Sequence, residues 1–180
     1  MNDLRPFVTL ATALADWRAE IVFVGCWAHR LFRLDGRALA NPAFDPIFTR
    51  DADVAFGDRA TLEGDIRRAL LNAGFKEAFF GEERPPVTQY TLGTELGGFY
   101  AEFLTEQRGS GIKRDGGADA TLVKAGIVAQ KLRHLDLLMV APWEVNIPEG
   151  VGDAAEKIDG LRVPNPVTFI AQKVLIQVRQ

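Results

Sequence analysis

A mixed β-sheet flanked by helices, an α/β (α+β) fold, is what this sequence predicts, on three patterns. Ile21-Val22-Phe23-Val24 is apolar without alternation, as in a strand buried on both faces, and Gly25 then opens a helical stretch. Asp51 to Phe56 alternates aspartate with small apolar residues, the period of a strand with one polar face. Val87 to Leu92 and Phe99 to Leu104 lie either side of Gly97-Gly98 and read as an antiparallel pair. Amphipathic segments between these strands mix parallel-type and hairpin connections.

Each element has its own local reason. Pro6 suits a first helical turn, and Phe7, Leu10, Leu14 and Trp17 share one face, so a helix is predicted from Phe7 to Trp17. After the strand at 21–24, Trp27 to Leu34 continues as a helix that stops near Asp35-Gly36. Pro42 and Pro46 mark residues 36–50 as loop. Ala60 to Asn72 is predicted helical, with Leu62, Ile66, Ala69 and Leu70 inward and Gly74 as its cap. Residues 75–86 hold a weak strand and an acidic loop, and Gln107 to Gly117 is a Gly-rich, basic loop. Over Leu132 to Pro142 the periodicity fits a strand or a helix equally. Gly150 to Gly160 is polar, Val163 opens a short strand, and Val167 to Val178 is the last helix.

A length of 180 residues predicts one domain over 1–180, with a C-terminal helical part at about 150–180. Acidic residues number 24 and basic ones 21, a net charge of −3 that supplies no drive toward nucleic acid or an anionic membrane. A single cysteine excludes an internal disulfide and fits a reducing compartment. The N-terminus has no signal-peptide core, and no run reaches the roughly 20 apolar residues of a membrane span. A cytoplasmic protein without a membrane partner is expected.

The chemistry-bearing residues gather around the first two strands. Asp51 and Asp53 project from one strand face, and like charges that close repel unless a cation lies between them. Hard oxygen donors at this spacing suit Mg²⁺. The strand–glycine turn–helix at Val24-Gly25-Cys26 directs backbone N–H groups at an anion. Glu102 alternates with apolar neighbours and is a candidate third carboxylate. Arg50 precedes the aspartates, and His29, Arg30 and the loop Arg108 to Arg114 are further cations that can meet phosphate or stand as surface charges. There is no Gly-x-x-x-x-Gly-Lys-Ser/Thr loop, Gly-x-Ser-x-Gly elbow or Cys/His cluster.

The order Val24-Gly25-Cys26, Asp51-Ala52-Asp53, then Glu102 resembles the nucleotidyltransferase-fold (DNA polymerase β-like) superfamily. More closely it resembles small bacterial nucleotidyltransferase-like proteins, over Phe23–Arg30, Asn41–Phe56, Ala101–Ser110, Gly126–Leu138 and Val163–Ile176. The resemblance implies a nucleotidyltransferase-type sheet and Mg²⁺ (or Mn²⁺) held by Asp51, Asp53 and Glu102. It further implies a nucleoside triphosphate met by Gly25, Cys26, Arg50 and Lys173, and transfer of a nucleoside monophosphate to a hydroxyl of RNA, protein or a small molecule. The sequence departs from the superfamily at Cys26, where a weakly donating thiol replaces a serine hydroxyl. The alternative role for Cys26 is a small buried apolar residue. The chain also reads as shorter at its C-terminal end than its relatives. Those departures keep two other readings open: a degenerate module that binds a nucleotide or partner without turnover, and a toxin with an antitoxin-like partner protein.

Overall fold

The computed structural model describes residues 4–39, 49–82, 85–93, 98–151, 154 and 156–177. Helix α1 (Arg5–Ala13) and a 3-10 turn (Ala15–Trp17) lead to strand β1 (Ile21–Val24), which runs straight into α2 (Gly25–Phe32). Strand β2 (Asp51–Phe56) pairs antiparallel with β1 and parallel with β5 (Phe99–Glu106). Helix α3 (Ile66–Asn72) then precedes β3 (Lys76–Phe80) and β4 (Val87–Leu92), giving the order β1-β2-β5-β4-β3. The free side of β5 is shared. Its first half pairs with β4, and Leu104 to Glu106 pair in parallel with β7 (Ile127–Leu132), which pairs in turn with β6 (Thr121–Lys124). Strands β8 (Trp143–Ile147) and β9 (Ile158–Val163) form a separate antiparallel ribbon before α4 (Pro166–Gln177).

Strand period and register sort the sheet into two faces. Ala52, Val54 and Phe56 share one face with Tyr90, Ala101 and Phe103, all fully buried. The α1 residues Phe7 and Leu10 and the α3 residues Ile66 and Leu70 complete this larger core. Each large apolar side chain so buried contributes about 1.5–3 kcal/mol. On the opposite face Val22, Val24, Ala55 and Leu104 form a smaller cluster with Leu135 and Leu138, and Phe169 of α4 packs against it. The other half of this second face is acidic: Asp51 and Asp53 precede Ala55, and Glu102 precedes Leu104.

Several expected elements differ in detail. Helix α1 stops at Ala13 and reaches Trp17 as a 3-10 turn. The helix expected from Ala60 starts at Ile66, because Asp65 caps it by accepting the Arg68 N–H at 2.8 Å. Gly64 just before it has φ +82°, which no right-handed helix adopts. Leu132 to Pro142 forms neither a long helix nor a strand of its own: β7 ends at Leu132, and a 3-10 turn covers Asp136–Met139. Val163 closes β9 instead of opening a strand. Strands β6, β7 and β8 were not foreseen: β6 is four residues long, Gln130 and Lys131 interrupt β7, and the regular alternation Trp143-Glu144-Val145-Asn146-Ile147 of β8 was passed over. Pro42, Pro46, Gly97 and Val178 lie outside the described residues. Among the described residues no helix is long and apolar enough to cross a membrane.

Candidate functional site

Strand β1 delivers its last residue, Val24, directly opposite Asp53 of β2, so the turn that follows lies over that carboxylate. Gly25 makes the turn at φ +63°, and a Cβ placed there would overlap Asp53 Oδ2. Only glycine meets both demands, the left-handed backbone and the missing side chain. It is also the first residue of α2, whose N-terminus has no side-chain cap, so its backbone N–H groups are presented at the carboxylate edge.

One row crosses the sheet here: Val24, Asp53, Glu102, Gln89 and Ala78 are register partners from β1 to β3. The neighbouring row sets Asp51 beside Tyr100. Asp51, Asp53, Tyr100 and Glu102 therefore share one face, with same-face neighbours roughly 5–7 Å apart at the Cβ atoms. Burial first, then the charges of Asp51 and Glu102, push the Asp53 carboxyl up to about 6, and Lys173 opposes the rise. The same carboxylates, after burial, raise the Tyr100 phenol. Burial followed by Asp51 and Asp53 raises the Cys26 thiol, with Lys173 again opposing. Lys173 arrives from α4 with its ammonium 5.3 Å from the Phe169 ring centroid. Gln89 Nε2 donates to Glu102 Oε1 and so orients that carboxylate.

Oxygen donors with surplus negative charge have the donor chemistry that suits Mg²⁺ or Mn²⁺. As the side chains stand, no three His, Cys, Asp or Glu among the described residues close into a ligand cage.

The tertiary structure thus brings Gly25, Cys26, Asp51, Asp53, Glu102 and Lys173 together. Cys26 is exposed, not the buried apolar residue that was its alternative. Arg50 is exposed at the entry to β2, where its carbonyl accepts the Tyr100 N–H at 2.9 Å. Arg30 is buried with its guanidinium 4.1 Å from the Trp27 ring centroid. The basic loop leaves β5 at the end away from Glu102, and Arg108 is tied there to Glu106 and Asp58. Sequence reasoning passed over Tyr100 and Gln89. The signal was present: Tyr100 is two residues before Glu102, and Gln89 was one of two polar positions alternating along β4.

A family model described as nucleotidyltransferase matches residues 7–180. The chain belongs to that family. No curated protein and no solved structure matches it. In this nucleotidyltransferase the matched span takes in the glycine turn, both aspartates, Glu102 and the Lys173 helix.

Proposed function

We propose that this nucleotidyltransferase moves a nucleoside monophosphate from an NTP to a hydroxyl of an RNA, protein or small-molecule acceptor, with a divalent cation. The observation that carries the reading is the acidic row itself. Three carboxylates share one sheet face, burial and then the charges of Asp51 and Glu102 lift the Asp53 carboxyl to about 6, and Lys173 is the cation that opposes the rise. Such a cluster is held in a destabilising arrangement, which is characteristic of a working site. Asp51 and Asp53 would hold Mg²⁺ or Mn²⁺, which when bound offsets charge on the phosphates. The backbone N–H groups at Gly25 and Cys26 bind phosphate oxygens, and Lys173 neutralises the triphosphate.

In the transfer, the acceptor oxygen forms a bond to the α-phosphorus as the bond to the bridging oxygen breaks. Pyrophosphate leaves with that electron pair. The acceptor proton passes to a carboxylate on the same face, and Glu102, oriented by Gln89, is placed to receive it. Calorimetric titration with each NTP, with and without Mg²⁺, followed by product analysis, tests this. Mg²⁺-dependent binding with pyrophosphate release is expected, and unchanged binding in Asp53→Ala rules the assignment out.

Cys26 supports a second reading, a nucleotide-binding module without turnover, because an exposed thiol donates weakly where a hydroxyl would serve phosphate better. Binding without pyrophosphate release would select it.

A further inference from the structure

Strand β3 ends the sheet, and its outer edge has no strand partner among the described residues. It carries two adjacent aromatic side chains in the open, Phe79 at 63 % and Phe80 at 50 % exposure. Edge strands in monomeric proteins are ordinarily protected by charge, proline, bulges or a covering segment, because an apolar edge pairs with other chains. Here the one acid inside the strand is already engaged: Glu77 accepts from Arg67 at 2.7 and 2.6 Å. The remaining charges sit at the two ends, Lys76 at the start and Glu82 just past the turn at Gly81.

We infer that β3 pairs with the β3 of a second copy of this chain, antiparallel about a two-fold axis at Phe79. Three features of the strand fit that register. Phe79 meets its own equivalent on the α3 side of the sheet. The small Ala78 of each copy lies opposite Phe80 of the other, so a large side chain faces a small one twice. The Lys76 end of each copy comes beside the Glu82 end of the other, so unlike charges meet at both ends. Parallel pairing would instead stack Lys76 on Lys76 and Glu82 on Glu82.

The pairing would join two sheets into one. A two-fold axis perpendicular to the sheet keeps both acidic faces on the same side. Seven strand spacings then separate the two β2 strands, roughly 30–35 Å. The inference does not rest on the proposed chemistry, since β3 carries none of the site residues.

Sedimentation velocity on the full chain, from about 1 to 100 μM at low salt, tests it. Wild type is expected to shift from monomer to dimer across that range. Phe79→Lys, at an exposed position that leaves the fold intact by circular dichroism, is expected to remain monomeric throughout. Lys76→Glu sets like charges at both ends and is expected to weaken the dimer at least several-fold. The double variant Lys76→Glu with Glu82→Lys restores unlike charges and is expected to recover most of the affinity. A wild-type chain that stays monomeric to the top of the range overturns the inference. So does a dimer indifferent to Phe79→Lys, or charge variants whose double swap brings no recovery.

Discussion

Asp53 is the residue where folding and function pull apart. Its carboxyl keeps its proton up to about 6 against an ordinary 3.8, through burial and then the charges of Asp51 and Glu102. The folded state therefore binds this proton more tightly than the unfolded chain does. The stabilisation is full below about pH 4 and is lost as the pH rises through 6, where the buried charge forms. Asp53→Asn never forms that charge. Without divalent cation, it is expected to exceed wild type by up to about 3 kcal/mol at pH 8, with the gap closing toward pH 4. Urea denaturation at pH 4, 6 and 8 measures this, and equal stability at pH 8 would contradict the account. Gly25 is the complementary position. Gly25→Ala places a methyl group in the Asp53 carboxylate on a left-handed backbone. A loss of about 1–3 kcal/mol is expected in thermal melts, with weaker NTP binding because the turn must move.

At the scale of elements, α4 decides whether a cation reaches the carboxylates. The helix is held through Phe169, whose ring lies edge-on to Phe32 at 6.1 Å between centroids and packs over the smaller core cluster. Lys173 follows one turn later and projects to the site. The two residues separate placement from charge. Phe169→Ala is expected to lower stability by about 1–2 kcal/mol and weaken NTP binding together, because the helix loosens. Lys173→Met is expected to weaken NTP binding with stability unchanged or slightly lower, since the residue is exposed and its attraction to the carboxylates is screened. Melting curves and titrations on the two variants check both, and an NTP affinity untouched by Lys173→Met would remove it from the site.

For the whole molecule, a ligand that binds only the folded state adds stability by mass action. Saturation at about 100 times the dissociation constant adds about 2.7 kcal/mol, which for a chain of this size raises Tm by roughly 5–10 °C. NTP with Mg²⁺ is expected to do so in wild type and to have little effect on Asp51→Ala. A scanning thermal-shift series with NTP, Mg²⁺ and both reads out the coupling. Equal shifts in the two proteins would place the nucleotide away from the acidic face.

What the sequence determined by itself was local and periodic. The unbroken apolar run at 21–24, the alternation at 51–56 and the glycine pair near 98 correspond to β1, β2 and the β4–β5 pairing. These patterns are legible because strand period and chain reversal depend on neighbours in sequence. Asp51, Asp53 and Glu102 could be named for the same reason, since each alternates with apolar residues on its own strand. The four-residue β6 and β7, whose apolar start runs into Gln130 and Lys131, left little periodic trace, whereas the alternation of β8 was legible and passed over. Tertiary structure alone decided the row itself. Parallel pairing of β2 with β5 sets Glu102 beside Asp53, antiparallel β4 brings Gln89 to Glu102, and α4 brings Lys173 from more than seventy positions away. Register between distant strands is set by which faces bury together, and that free energy belongs to the assembled sheet and not to any one segment.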